Sequence, residues 1–204
     1  ADQFEYYGYF HADMCYGYNT SDQVFEPAGL VDTPREGESD TTYDHYCTDL
    51  AATWSGNFLN WALMTRMDVV RKILYGGLRS TDNANKTVLE RAYLPGDAHS
   101  FAKYYNGADL AALTPHDTVR TDTTNGGDSD SFDDTAEGVT ICSITQATAG
   151  NSSQTTTVPP MMRVASGNRS LWAANERRQC SWADELFPPE PPNNANSNNA
   201  AISG

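Results

Sequence analysis

One stretch, Trp54 to Arg79 (WSGNFLNWALMTRMDVVRKILYGGLR), constrains the fold of this chain more than any other. It holds helical periodicity for longer than any other segment, and both of its ends are marked. Ser55 can accept a hydrogen bond from the free N–H groups of a first turn. Gly76 and Gly77 can take the left-handed conformation that closes a helix. Arg71 and Lys72 sit near the end, where cations suit the negative pole of the helix dipole. The spacing predicts one long amphipathic helix over about 55–76.

Residues placed at 100° intervals along it form a face of Leu59, Ala62, Leu63, Met67, Val69, Val70, Ile73 and Leu74. Asn60, Asp68, Arg71 and Lys72 fall opposite, with Asp68 and Lys72 as an i,i+4 pair. Two residues break the pattern. Arg66 projects from the apolar side, so burial would oblige it to find a carboxylate or carbonyls. Trp61 projects from the polar side and calls for a cover from elsewhere in the chain. The helix is read as a core element, and the alternative is that Trp61 belongs to an exposed interaction surface.

The cover on offer is the aromatic N-terminal segment FEYYGYFHADMCYGY, with Tyr7 and Tyr9 in partial alternation. It reads as a short, half-buried strand or extended segment. A sugar-binding aromatic platform is the competing reading. His11 and Asp13 could ligate a metal, but nothing nearby completes a set.

The chain has 204 residues and a formal net charge of −14, so it repels nucleic acid and anionic membrane surfaces. Only 39% of residues are hydrophobic, which predicts a loop-rich domain with a modest core. No apolar run is long enough for a membrane span. The opening Ala1-Asp2-Gln3 would suit a mature terminus or an internal cleavage point. The four cysteines, Cys15, Cys47, Cys142 and Cys180, include no CxxC pair, which excludes zinc ribbons and thioredoxin-like sites. Their even number in an acidic, polar chain suits an exported protein with disulfides. Cys15–Cys47 and Cys142–Cys180 is the favoured pairing, because each bond then brackets one loop-rich section. Four buried free thiols are the alternative.

Residues 19–46 read as a polar loop carrying the acidic patch Glu36, Glu38 and Asp40. Ser80 or Asp82 could cap a second, shorter helix through Val88, Leu89 and Ala92. Another helical piece is expected around His99–Tyr105, and one more turn in GADLAALTP. The acidic run TDTTNGGDSDSFDDTAE offers Asp122, Asp128, Asp130, Asp133 and Asp134 as hard oxygen ligands for calcium. It matches no EF-hand or glycine-aspartate repeat, and a solvated acidic loop is the competing reading. GVTICSIT and TTTVPPMMRVA suggest a β-hairpin whose second strand is at an edge or bulged at its prolines. A short helix is expected from Ser170, anchored by Trp172 and Trp182. Residues 188–204, rich in Pro and then Asn, read as a linker or extended arm after a domain at 1–187. No G-x-S-x-G, H-E-x-x-H, P-loop or G-x-G-x-x-G motif is present, so no catalytic residue is assigned.

WSGNFLNWALMTRMDVVRKILYGGLRSTD, with the following TVLERAYLPGDAHSFAKYY, resembles the N-terminal region of the PilY1 family of type IV pilus tip and assembly proteins. The upstream YYGYF, CYGY and FEP and the downstream RVASGNRSLWAANERRQCSW are similar to that family as well. The resemblance implies a fragment of a longer, extracellular protein. It implies a von Willebrand factor A-like region followed by a β-propeller that can carry a calcium loop. It also implies a role in pilus assembly, surface adhesion and, in some members, surface sensing. The implied partners are pilins or minor pilins, other parts of a larger PilY1-like chain, and a host or abiotic surface. The D-x-S-x-S adhesion motif of the A-domain is not matched by Asp128-Ser129-Asp130-Ser131, and the propeller has no counterpart here. Nor are there the buried apolar strands of a parallel sheet. The expected fold is therefore α+β, irregular and loop-rich, with the long helix, shorter helices and a β-hairpin, as part of an A-like α/β domain. A structural subunit of an extracellular filament and a secreted hydrolase or sugar-binding module are the alternative functions.

Overall fold

The computed structural model describes residues 4–32, 45–92, 100–116, 119–121, 135–144, 161–168 and 200–203. They fall into two units, one built on Ala1–Ala92 and Asp109–His116, the other on Tyr93–Ala108 and Asp117–Ser203.

In the first unit, β1 (Met14–Asn19) pairs antiparallel with β2 (Val24–Leu30) and with the short β3 (Trp54–Ser55), in the order β2-β1-β3. Part of the segment expected as a polar loop is thus the strand β2. Its first two residues, Val24 and Phe25, suit a strand and pair across to β1, with Tyr18 opposite Phe25 and Asn19 opposite Val24. The disulfide Cys15–Cys47 pins β1 to the chain ahead of β3, and Val31 and Leu50 pack around it.

The long helix expected over 55–76 is two helices, α1 (Gly56–Leu63) and α2 (Arg66–Tyr75). Both outer ends are as the sequence indicates. Ser55 accepts a hydrogen bond from the N–H of Phe58, and Gly76 closes α2 in the left-handed region at φ 83°. The break lies at Met64-Thr65, both in extended conformation. Its cause is a capping box, in which Thr65 Oγ1 accepts from the Asp68 N–H and the Asp68 carboxylate accepts from the Thr65 N–H. Two well-made helix ends replace the continuous ladder, and α2 is re-aimed.

The consequence is a split in the predicted apolar face. Leu59, Ala62 and Leu63 on α1 are buried with Trp54 and Phe58, and with Leu110 and Leu113 of α3 (Leu110–Leu113). Met67, Val70, Ile73 and Leu74 on α2 are exposed. Gly56 begins α1 where no larger residue fits, since an added Cβ would lie 2.1 Å from the carbonyl oxygen of His11.

The segment expected as a second helix is a hairpin of β4 (Arg79–Asp82) and β5 (Thr87–Leu89). Asn83 decides this. Its side-chain oxygen accepts from the N–H groups of both Asn85 and Lys86 at 2.9 Å, closing a turn where a helical ladder would otherwise begin. The extra turn expected in GADLAALTP is α3.

In the second unit, β6 (Ser100–Tyr105) replaces the helix expected around His99–Tyr105. It pairs with β9 (Val139–Ile144), which pairs with β10 (Met161–Ser166), which pairs with β11 (Ala200–Ser203), all antiparallel. β7 (Val119–Thr121) and β8 (Thr135–Glu137) form a separate pair. The expected hairpin is therefore the β9–β10 pair, but β10 is flanked on both sides rather than lying at an edge. Val139, Ile141, Met162 and Val164 are buried, and an aromatic segment with weak helical spacing is drawn onto this β-branched strand as β6. The architecture is mixed α/β, with small antiparallel sheets and short helices. Among the described residues no helix is long and apolar enough to cross a membrane.

Candidate functional site

The N-terminal aromatic segment is held by two asparagines of α1. Asn57 Oδ1 accepts from the N–H of Tyr6, and its Nδ2 donates to the carbonyl of Phe4. Asn60 Oδ1 accepts from the N–H of Phe10, and its Nδ2 donates to the carbonyls of Tyr6 and Phe10. Both side chains are buried, so these bonds replace water for a strand-like segment that has no ladder of its own. Further along, Lys72 donates to the carbonyl of Gly8 and sits 4.4 Å from the centre of the Tyr7 ring. Burial holds the Lys72 amine below its usual range. The Tyr9 hydroxyl accepts from the N–H of Leu78, and burial of that ring raises the phenol.

Asp68 was expected on the polar face, paired with Lys72. It is instead the buried residue of α2. Besides capping Thr65, it accepts from the N–H of Ala92 at 2.5 Å. Beside it lies Arg91, only 2% exposed. Desolvation pulls this guanidinium down to about 10, against the attraction of Asp68. It remains charged at neutral pH. Asp68 thus fastens α2 to the end of the β4–β5 segment from within.

Arg91 lines a cleft of about 520 Å³. Tyr9, Phe10, Tyr16, Leu63 and Met64 line it too, together with Val24–Pro27 from β2 and Asn85–Leu89 from the β4–β5 hairpin. Phe10 meets Tyr16 and Phe25 edge-on, at 5.0 and 5.6 Å between ring centres. Lys86 ties the two walls, lying 2.5 Å from Asp22 and 3.5 Å from Glu26.

The second surface feature is the outward side of α2. Ile73 is 67% exposed and Leu74 73%, with Met67, Val70 and Tyr75 also open to solvent. An exposed apolar helix face of this extent is a characteristic of interaction surfaces.

Several residues singled out in the sequence fall differently from expectation. Arg66 is exposed and so takes no buried partner, because the break at Thr65 turns it out to solvent. Trp61 is half-buried, 5.3 Å from Phe58, while the aromatic segment lies on the neighbouring Asn57 and Asn60. His11 Nδ1 accepts from the N–H of Asp13, and Asp13 lies 3.2 Å from His45. Among the described residues no group of His, Cys, Asp or Glu side chains is arranged to hold a metal ion. Asp122, Asp128, Asp130, Asp133 and Asp134 lie outside the described residues, as do Glu36, Glu38, Asp40, Trp172 and Trp182. Of the two expected disulfides, Cys15–Cys47 is formed. Cys142 is disulfide-bonded as well, and Cys180 lies outside the described residues. Sequence reasoning missed Asn57, Asp68 and Arg91. The pattern Thr65-x-x-Asp68 was the available signal for one of them.

The family described as PilY1 homolog, small alpha/beta domain, matches residues 1–165. Two proteins of Xylella fastidiosa (strain Temecula1 / ATCC 700964), each named type IV pilus biogenesis factor PilY1 homolog, are similar in sequence. One is 36% identical over 119 residues, covering 56% of this chain and 7% of the relative. The other is 39% identical over 93 residues, covering 44% of this chain and again 7% of the relative. The chain thus spans a small fraction of the length of these relatives. No solved structure matches.

Proposed function

Since this chain belongs to the PilY1 homolog small α/β domain family, we propose that it is a binding module of a type IV pilus biogenesis factor, acting at the cell surface or pilus tip without catalysis. The observation that carries this reading is the exposed apolar side of α2. Its inner side is fixed by the buried Asp68, so Met67, Val70, Ile73 and Leu74 are presented on a rigid frame. The relatives are many times longer than the region they share with this chain. The occupant assigned to that face is another domain of the same long polypeptide, which would orient this module within a pilus assembly. Contact with pilins or minor pilins, and adhesion to a host or abiotic surface, would then be made by the assembled whole.

The test is a chromosomal Ile73→Glu/Leu74→Glu double substitution in the full-length protein. The expected outcome is normal folding of this module with loss of surface pili, attachment or twitching. Unchanged piliation, attachment and motility would overturn the reading.

A further inference from the structure

We propose that the outward face of α2 docks on an apolar surface of the partner domain that carries a carboxylate, which pairs with Arg66. This rests on the reading of the chain as a binding module and names the chemistry of the surface it meets.

Helical spacing sets the face. At about 100° per residue, Arg66, Val70 and Ile73 fall at i, i+4 and i+7 on one side of α2, with Met67 and Leu74 beside them. All five are exposed, and Asp68 on the opposite side is buried. Arg66 therefore stands within the apolar face, at its N-terminal end, about 10 Å along the axis from Ile73. That position is unfavourable for the chain by itself. Arg66 is the first residue of α2, where the positive pole of the helix dipole disfavours a cation. Among the described residues none of the ion pairs includes it. A side chain that opposes its own helix without local compensation is a mark of a functional contact.

Covering the face sets a requirement on whatever covers it. A surface that buries Met67, Val70, Ile73 and Leu74 also takes the Arg66 guanidinium out of water, and a guanidinium carries its charge into the contact. Against a wholly apolar surface that desolvation goes uncompensated. Against a carboxylate, paired N–H donors and charge attraction offset it. A second copy of α2 cannot supply the carboxylate. Its other charged residues are the half-buried cations Arg71 and Lys72, and the buried Asp68. An isologous pair of these faces would bury Arg66 with no countercharge on either helix. An anionic bilayer is disfavoured by the net charge of −14. The occupant is a protein surface with an acidic residue set beside apolar ones.

The test is Arg66→Lys in the full-length protein, treated with a water-soluble carbodiimide. The reagent joins an amine to a carboxylate only where the two touch, and peptide mass spectrometry locates the joined residues. The expected result is a cross-link from position 66 to an aspartate or glutamate of another domain. Lys86, paired with Asp22 and Glu26, is the internal control. A second readout is peroxide oxidation of Met67, which is 54% exposed in this chain. Docking should protect it in the full-length protein, and Arg66→Glu should speed its oxidation about tenfold or more. The same Arg66→Glu change should leave the unfolding midpoint of this chain unchanged or higher, because it puts an anion at the N-terminal pole of α2. A merely structural role for Arg66 would lower that midpoint.

A control link at Lys86 with none at position 66 would overturn the proposal. So would a position-66 link only within this chain or between two copies of it. Equal Met67 oxidation in the unmodified protein and Arg66→Glu would also overturn it. Binding to phosphatidylglycerol vesicles that Arg66→Glu abolishes would overturn it in favour of a membrane surface. The two readings fail separately. Loss of pili in the Ile73→Glu/Leu74→Glu variant without a position-66 link removes the carboxylate contact alone. Unchanged piliation, attachment and motility in that variant remove the pilus role, whatever position 66 joins.

Discussion

Asp68→Ala should be the most damaging single truncation of a polar side chain in the first unit. Its carboxylate has no exposed surface, caps α2 through Thr65 and accepts from the N–H of Ala92. Removing it deletes a helix cap, at about 1 kcal/mol. It strands the Ala92 N–H, at about 1–3 kcal/mol. It also removes a carboxylate whose attraction favours the charged form of the buried Arg91 guanidinium. These contributions overlap because one network carries them. The expected cost is about 2–4 kcal/mol. Urea unfolding followed by tryptophan fluorescence measures it, since Trp54 and Trp61 both lie in this unit. Two comparisons separate the mechanism from general damage. Thr65→Ala, which removes only the cap, should cost about 1 kcal/mol. Asp68→Asn, which keeps a side-chain oxygen for the Ala92 N–H, should be more stable than Asp68→Ala. The reasoning is refuted if Asp68→Ala costs less than about 1.5 kcal/mol, or if Asp68→Asn is the less stable of the two.

Reducing the Cys15–Cys47 bond, which closes a sequence separation of 32, should lower stability by about 3.7 kcal/mol on the chain-entropy relation, read from the shift of the urea midpoint. Leu59→Ala on α1 should cost about 2–5 kcal/mol, and Leu74→Ala on α2 no more than about 0.5 kcal/mol. Thermal unfolding of the two variants would show comparable losses if the apolar face were continuous. Asn60→Ala should speed amide exchange at Phe10 and cost about 1–3 kcal/mol, because the buried main-chain groups of Tyr6 and Phe10 lose their partners. Burial raises the Tyr9 and Tyr16 phenols above 10, so the folded chain keeps protons that the unfolded chain gives up. Stability from these two rings is full below pH 10 and is lost as pH climbs through the raised values. An ultraviolet phenolate titration beside alkaline unfolding checks this, and ionisation of both rings at or below their usual range would contradict it.

The caps at Ser55 and Gly76, the Cys15–Cys47 bond, the α3 turn and the β9–β10 pair were legible in the sequence. Each rests on chemistry local to a few residues, or, for the disulfide, on the bracketing of one loop-rich section. Family membership was legible for a related reason, since the long Trp54–Arg79 stretch is specific as a string of residues whatever its shape. The errors have a common origin. Helical spacing ran through Met64-Thr65 because periodicity counts side chains and ignores main-chain bonds, while the Thr65–Asp68 box decides those bonds. Once α2 is re-aimed, the same apolar residues that would have been core become surface, and Asp68, assigned to water, becomes core. The hairpin at 79–89 was hidden because Val88 and Leu89 suit a helix as well as a strand until Asn83 closes the turn. The cleft could not be read at all. It exists because residues of β2 and of the β4–β5 hairpin, far apart in the chain, come to line one space over Arg91. Local chemistry fixes where elements start and stop; which side of each is buried is a property of its neighbours, and those neighbours are assembled only in the folded chain.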